Sequence, residues 1–386
     1  MHISTLKTMM ISTRTTSLVL PRFWRQRASF PNHSFFHRCL SSPPEVEEEE
    51  EKVSRSAFIE NSLRGVGQVI FLNSTTSGMA ILGGLAIGDP YLSILAATGT
   101  VTATAAAQKA GLDKSMLSDG LWGYNGCLVG CATAVFIHPI APAIAAASTP
   151  MLVKTAMAGL GATFIGGCAT PFVAAALKPA CGSVPQFTLA FNAVTLTMLL
   201  RTRPLLNSPS DTSEAVSATT VSAMEGISQL AVNAPLQGIS QIFVVESCLT
   251  GAAILGGLTL YSRGLAVHAF IGSSIGAATG LFLGADLASI KMGLWGFNSA
   301  LTSLGVGVFF VHSPRVMALS AGGAAATAAV FGAMDSIFGN FGSPCLTLPF
   351  CFTMAGCYLL RDTVAGLKIA KSPHSPEKNE IPEHHY

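Results

Sequence analysis

Residues 120–128 read GLWGYNGCL, and residues 293–301 read GLWGFNSAL. In each copy an aromatic residue precedes a leucine by four positions, Tyr124 with Leu128 and Phe297 with Leu301, so each pair falls on one helix face. The aromatic positions are 297 − 124 = 173 residues apart. The same offset carries Gln68 onto Gln241, and GMAILGGL at 78–85 onto GAAILGGL at 251–258. A register held from Gln68 to Leu128 marks an internal duplication. Toward the end of each copy the offset shortens. VPQFTLAFN at 184–192 answers SPCLTLPFC at 343–351, with Thr188 and Thr347 separated by 347 − 188 = 159. The second half has therefore lost residues in its fourth or fifth span.

Half of the 386 residues are hydrophobic, 11% are charged and the mean hydropathy is +0.52. A soluble domain carries about 25% charge, so this is the composition of an integral membrane protein. A net charge of +2 without a basic stripe excludes a nucleic-acid partner. Nine cysteines without a CxxC pair argue against a disulfide framework and a zinc site. His138, His268 and His312 lack metal-ligand spacing, so neither a metal nor a cofactor is expected. GSSIG at 272–276 fits the nucleophile-elbow pattern, but it sits in AFIGSSIGAATG, where small residues let helices approach, and the chain does not read as an enzyme.

The chain divides into five parts. Residues 1–54 are basic, Ser/Thr-rich and acid-poor up to Glu45, then acidic; a disordered tail and a transit peptide both fit. Residues 55–204 form a first transmembrane repeat, 205–229 a polar connector, 230–362 a second repeat and 363–386 a polar C-terminal tail. A crossing needs roughly 20 residues, which allows about ten transmembrane helices. Two stretches are too short to cross, SLRGVGQVIFLN at 62–73 and PLQGISQIFVVE at 235–246. They read as re-entrant half-helices whose last carbonyls lack partners, an arrangement tolerated only beside a wet cavity. With an odd number of crossings per half, the halves are inverted and enclose a central pore. The fold class is thus all-α integral membrane, with two inverted homologous halves. Basic flanks on both ends place the termini in the cytosol or its organellar equivalent. The plasma membrane is the expected location, with a mitochondrial or other organellar inner membrane as the alternative set by the basic N-terminus.

LRGVGQVIF, GLWGYN, VPQFTLAFN, GLWGFN and SPCLTLPFC occur in that order between about residues 58 and 360, and together they resemble the urea transporter family. The resemblance implies a homotrimer with one pore per subunit, and passive, channel-like passage of urea without a coupling ion. It assigns pore-lining roles to Gln68, Val69, Phe71, Tyr124, Leu128 and Thr188, and to their counterparts Gln241, Ile242, Val244, Phe297, Leu301 and Thr347. The residues suit that task. Urea is flat and neutral, with four N–H donors and one carbonyl, so it needs a slot with apolar faces and acceptors along one edge. Leaving such a solute unpaired costs about 2–7 kcal/mol, so acceptors set the barrier. Departures from the family pattern are Ala190 in place of a proline, Asn73-Ser74-Thr75 and Glu246-Ser247-Cys248 in place of Asn-Pro segments, and Val244 opposite Phe71. Glu246 keeps an ion- or proton-coupled carrier as an alternative, alongside a channel for a related small neutral solute.

Overall fold

The computed structural model describes residues 55–206 and 223–380. The N-terminal stretch 1–54, with its transit-peptide reading, and most of the connector lie outside the described residues. The first series of helices is α1 (Arg55–Gln68), α2 (Thr75–Gly88), α3 (Pro90–Lys109), α4 (Lys114–Ser118), α5 (Tyr124–Ala132), α6 (Ala141–Ala145), α7 (Thr149–Cys181) and α8 (Leu189–Leu206), with a π-helical turn, Thr133–Ile137, prolonging α5. The second series is α9 (Ala223–Gln241), α10 (Cys248–Tyr261), α11 (Arg263–Phe282), α12 (Leu287–Lys291), α13 (Phe297–Phe309), α14 (Pro314–Gly339) and α15 (Leu348–Leu359). Among the described residues the only strand-like pairing is an isolated antiparallel bridge, Phe310 with Ile369.

The helices start where the sequence supplies caps, and the caps repeat. Ser74 accepts from the Ser77 N–H and Ser247 from the Thr250 N–H; Asp113 accepts from Met116 and Asp286 from Ser289. Asp89 and Ser262 likewise cap α3 and α11. From α2/α10 to α5/α13 the helix starts are 173 residues apart, but the α7/α14 starts are 165 apart and the α8/α15 starts 159. The second half thus lost residues at two places: around α6, which has no counterpart, and within the fourth long helix, 33 residues in α7 against 26 in α14.

The two glutamine-bearing helices begin earlier than the sequence suggested, so α1 has 14 residues and α9 has 19, with Pro235 inside it. Both end at the glutamine. Phe71 and Val244 then take φ of 65° and 61°, a left-handed conformation that no helix accommodates, and the chain turns back into α2 and α10. Each hairpin is closed by a glycine. A Cβ on Gly78 would lie 1.9 Å from the Leu63 carbonyl oxygen, and one on Gly251 would lie 2.0 Å from that of Leu236.

The halves meet along α2 and α10. Ser77 Oγ donates to the Gly257 carbonyl at 3.0 Å, and Thr250 Oγ1 donates to the Gly84 carbonyl at 2.9 Å. Each bond maps onto the other under the offset, the reciprocity of a two-fold relation. Three helices, α7, α11 and α14, are long and apolar enough to cross a bilayer by length and composition, and five further apolar helices are shorter. Their outer faces carry exposed Phe164, Ile165, Phe172, Leu249 and Leu260, a surface suited to lipid.

The polar segment after α15 is docked on the helices. Val311 N donates to Lys368 O and Ala370 N to Phe309 O, both at 2.9 Å. Asn379 Nδ2 donates to the carbonyls of Gly307, Val308 and Phe310 at 3.1, 2.8 and 3.0 Å, covering the C-terminal end of α13. Glu377 accepts from Ser262 Oγ at 2.7 Å and from the Gly264 N–H at the α11 N-terminus. Partial burial pulls the Glu377 carboxyl pKa up, but the bonds from Ser262 and Gly264, with help from its own backbone N–H and Ser375, outweigh it and hold the value at about 2.

Replacing Gly78 by Ala is expected to destabilise the protein by about 1–3 kcal/mol through overpacking against Leu63. Gly83→Ala on the same helix, where nothing lies within 4 Å, should be neutral or slightly stabilising. Thermal unfolding of the detergent-purified pair measures the difference.

Candidate functional site: an aromatic cavity above a threonine pair

A cavity of about 710 Å³ opens between the end of α1, the α7–α8 connection and the end of α13. Its rim is polar and exposed, with Lys178, Ser183 and Ser372; Asn73, Asp119 and Gln186 are half-buried beside them. Its depth is apolar. Val69, Phe187, Phe350 and Val308 are buried there, and Thr188 is the buried polar group among them.

Of the twelve residues assigned from the sequence, Gln68, Val69, Phe71, Tyr124 and Thr188 line this cavity. Leu128 and Leu301 are buried in the core and lie outside its wall. Gln241, Ile242, Val244 and Phe297 also stand apart from it, and Thr347 reaches it only through Thr188. Glu246 is exposed and not part of the wall.

Gln68 is held by its own amide nitrogen, which donates to the Asp119 carbonyl at 2.8 Å, leaving its side-chain oxygen as a spare acceptor. Asn73 bridges the same corner, donating to Asp119 Oδ1 at 2.9 Å and accepting from Arg64 Nη1 at 3.1 Å. The turn after Gln68 satisfies its own N–H groups: Val69, Ile70 and Phe71 donate to Val66, Gly67 and Gln68. The carbonyls of Val69, Ile70 and Phe71 accept no bond among the described residues, nor do those of Ile242, Phe243 and Val244 after the second glutamine. These are acceptors in search of donors.

Thr188 and Thr347 are internal counterparts, and their hydroxyls bond to each other at 2.7 Å. Asn192 holds both: Nδ2 donates to Thr347 Oγ1 at 2.9 Å and to Thr188 O at 2.8 Å, while Oδ1 accepts from Thr347 N at 3.1 Å. Cys351 Sγ lies 3.2 Å from the Thr188 hydroxyl. The backbone before each threonine is left-handed, at Phe187 (φ 48°) and Leu346 (φ 52°). Side-chain donors secure the two carbonyls so turned, Tyr124 OH on Phe187 O and Asn298 Nδ2 on Leu346 O. Asn125 and Asn298 then accept from the Phe191 and Phe350 N–H groups, a second symmetric pair.

Above the threonines, Phe71, Phe309, Phe187 and Phe350 form a closed cycle of edge-to-face contacts, with centroids 5.8, 6.0, 5.2 and 6.2 Å apart around the ring. All four line the cavity. Three of them, Phe187, Phe309 and Phe350, escaped the sequence reading, as did Asn192 and Cys351. The last two lie four positions after the paired threonines, the spacing that places a side chain on the same helix face. Phe309 carried no such signal, because it comes from the far end of a helix in the other half.

A membrane-embedded slot with apolar walls and unpaired acceptors suits a small, flat, hydrogen-bonding solute, and comparison with known proteins agrees. The urea transporter family profile matches residues 59–362, and the chain belongs to that family. It is therefore a transporter and not an enzyme. Urea transporter 1 of Ovis aries is 30% identical over 344 residues, covering 84% of this chain and 83% of the sheep protein. Urea transporter 1 of Rattus norvegicus is 32% identical over 310 residues, covering 76% and 74% respectively.

Asn192→Ala is expected to leave the Thr347 N–H without a partner, to remove one donor from the Thr347 hydroxyl, and to cost about 1–3 kcal/mol of stability. Asn192→Asp keeps the acceptor but sets a buried carboxylate oxygen against the Thr188 carbonyl, so it should lose at least as much at neutral pH and recover as the pH falls; denaturation of both variants at two pH values tests this.

Proposed function

We propose that the chain carries urea passively across a membrane, down its gradient, through the passage that begins at the ring-lined cavity. The observation that carries this is the threonine pair under the aromatic cycle. Two hydroxyls, each able to accept or donate, sit where the walls are apolar and water is scarce. Urea entering there would slide its flat faces between rings and turn its N–H groups toward the free carbonyls after Gln68, the side-chain oxygen of Gln68 and then the Thr188 and Thr347 hydroxyls. Tyr124 stands in the cavity wall before the threonines; after them the route would continue past Phe297 and the carbonyls after Gln241, with Leu128, Leu301, Ile242 and Val244 as its apolar wall. A hydrated ion would lose its shell without gaining charge compensation, which gives selectivity for neutral solutes.

The reading extends to architecture. The reciprocal α2–α10 bonds and the 173-residue register support two inverted repeats, residues 55–204 and 230–362, crossing the bilayer about ten times, with α1 and α9 as the re-entrant elements. Exposed apolar surface supports contact with lipid and with further copies in a homotrimer, one pore in each subunit. The plasma membrane is the proposed location, and the basic N-terminus makes an organellar inner membrane the alternative. Glu246 stands outside the cavity, so nothing favours ion coupling.

Stopped-flow shrinkage of reconstituted vesicles in a urea gradient tests the proposal. Thr188→Val and Thr347→Val should each slow urea flux about tenfold, the equivalent of roughly 1.4 kcal/mol for one lost acceptor, with no electrical current in either protein. Unchanged flux in both variants would refute the route. Phe71→Leu should open the ring cycle and raise passage of larger amides relative to urea, measured in the same vesicles.

A further inference from the structure

The docked C-terminal segment forms part of the cavity itself. Ser372, Pro373 and His374 stand in its wall with Tyr261, Val308 and Phe309. His374 lies flat on Tyr261, with ring centroids 4.8 Å apart and planes 8° from parallel, and its Nε2 is 3.0 Å from the tyrosine hydroxyl. The strap so formed runs over the rim between two fixed points, the bridge at Phe310 and Ile369 and the Asn379 and Glu377 anchors described above.

The strap also carries a distinctive sequence, Lys371-Ser-Pro-His-Ser-Pro-Glu-Lys378. Two Ser-Pro pairs lie three residues apart, and the second has a lysine three positions after its serine. That is the substrate pattern of proline-directed serine/threonine kinases. The two serines sit in opposite settings. Ser372 is exposed, whereas Ser375 is 1% exposed. Ser375 closes the tight turn that the anchors depend on: Asn379 N and Lys378 N donate to its carbonyl at 2.9 and 3.0 Å, and Asn379 Oδ1 accepts from the N–H groups of His374 and Ser375.

We propose that Ser375 is a phosphorylation site whose modification releases the strap from the cavity rim. A proline-directed kinase transfers the γ-phosphoryl group of ATP to the Ser375 oxygen: the new O–P bond forms, the bond to the ADP leaving group breaks, and the hydroxyl proton is released. The kinase reaches this hydroxyl only while the strap is off. The product carries about −1.5 to −2 charge at neutral pH. Back in the docked position it would lie buried against the Glu377 carboxylate, which the Ser375 hydroxyl bonds in the unmodified strap, so the strap stays off. Phosphate on Ser372 points to solvent and leaves the strap docked. The effect of release on transport rests on the urea reading above; release itself does not.

The test uses full-length protein in vesicles, treated with ATP and a proline-directed kinase, analysed by mass spectrometry, by limited trypsin cleavage at Lys371 and Lys378, and by urea flux. The expected result is phosphate on Ser375, cleavage at least severalfold faster, and a rise in urea flux. Ser375→Ala should abolish both responses while keeping basal flux, and Ser372→Ala should leave both intact. Glu377→Gln combined with Asn379→Ala should reproduce fast cleavage without kinase. Modification of Ser372 alone, or Ser375 phosphate with unchanged cleavage, would overturn the proposal. Fast cleavage in a protein that shows no urea flux in any state would support the strap and reject the urea reading.

Discussion

The hydrogen bond between Thr188 and Thr347 is the constraint from which the rest of the site follows. Counterpart residues can bond to each other only where the relation between the halves maps a point onto itself, so the pair marks where the two repeats share one location. Reaching it requires each chain to turn sharply just before the threonine, which is why Phe187 and Leu346 adopt left-handed backbone and why Tyr124 and Asn298 bind the carbonyls turned aside. The same duplication fixes where α1 and α9 stop. Two helix ends with spare carbonyls and two hydroxyls at the shared point are the groups on which the proposed urea route rests.

Symmetry in the backbone is not matched by symmetry in the side chains. At the described cavity, Phe71, Phe187, Phe309 and Phe350 close a ring; by the two offsets their counterparts are Val244, Leu346, Phe136 and Phe191. Two of the four counterparts are aliphatic. Asn192 likewise has Cys351 as its counterpart, so one half alone supplies the amide that holds both threonines. The two frames match in backbone and differ in side chains, and one of them is the aromatic one.

Much of this was legible in the sequence because a repeat converts weak signals into strong ones. Gln68 or Thr188 alone would read as an ordinary polar residue among helices, whereas each paired with its counterpart at a fixed offset points to a shared task. The two interrupted helices follow from the same alignment, but they stop at Gln68 and Gln241, five residues short of the ends of the 62–73 and 235–246 stretches read from the sequence. What the sequence hid were contacts between elements far apart in the chain. Phe309 joins the ring cycle from the end of α13, and the tail residues His374, Glu377 and Asn379 have no counterpart in the first half. Compositional reasoning took that tail for a simple polar end, because its few anchors are individual hydrogen bonds and not an apolar stripe. The upstream extension of α9 is hidden for a similar reason: Pro235 suggests a start, yet the helix runs through it from Ala223 to Gln241, with Ser273 Oγ donating to the carbonyl of Pro235 itself.

The uneven pair of ring sets bears on sidedness. In a passive conduit, microscopic reversibility forbids any preference for one direction of net flow, whatever the shape of the two ends. The difference between phenylalanine and valine or leucine must therefore appear in what adheres and not in what passes. If the halves are inverted as proposed, a flat, greasy molecule too wide to traverse would stack against four rings at the described cavity and meet a counterpart set with only two, so blockade by such compounds would depend on the face from which they are applied.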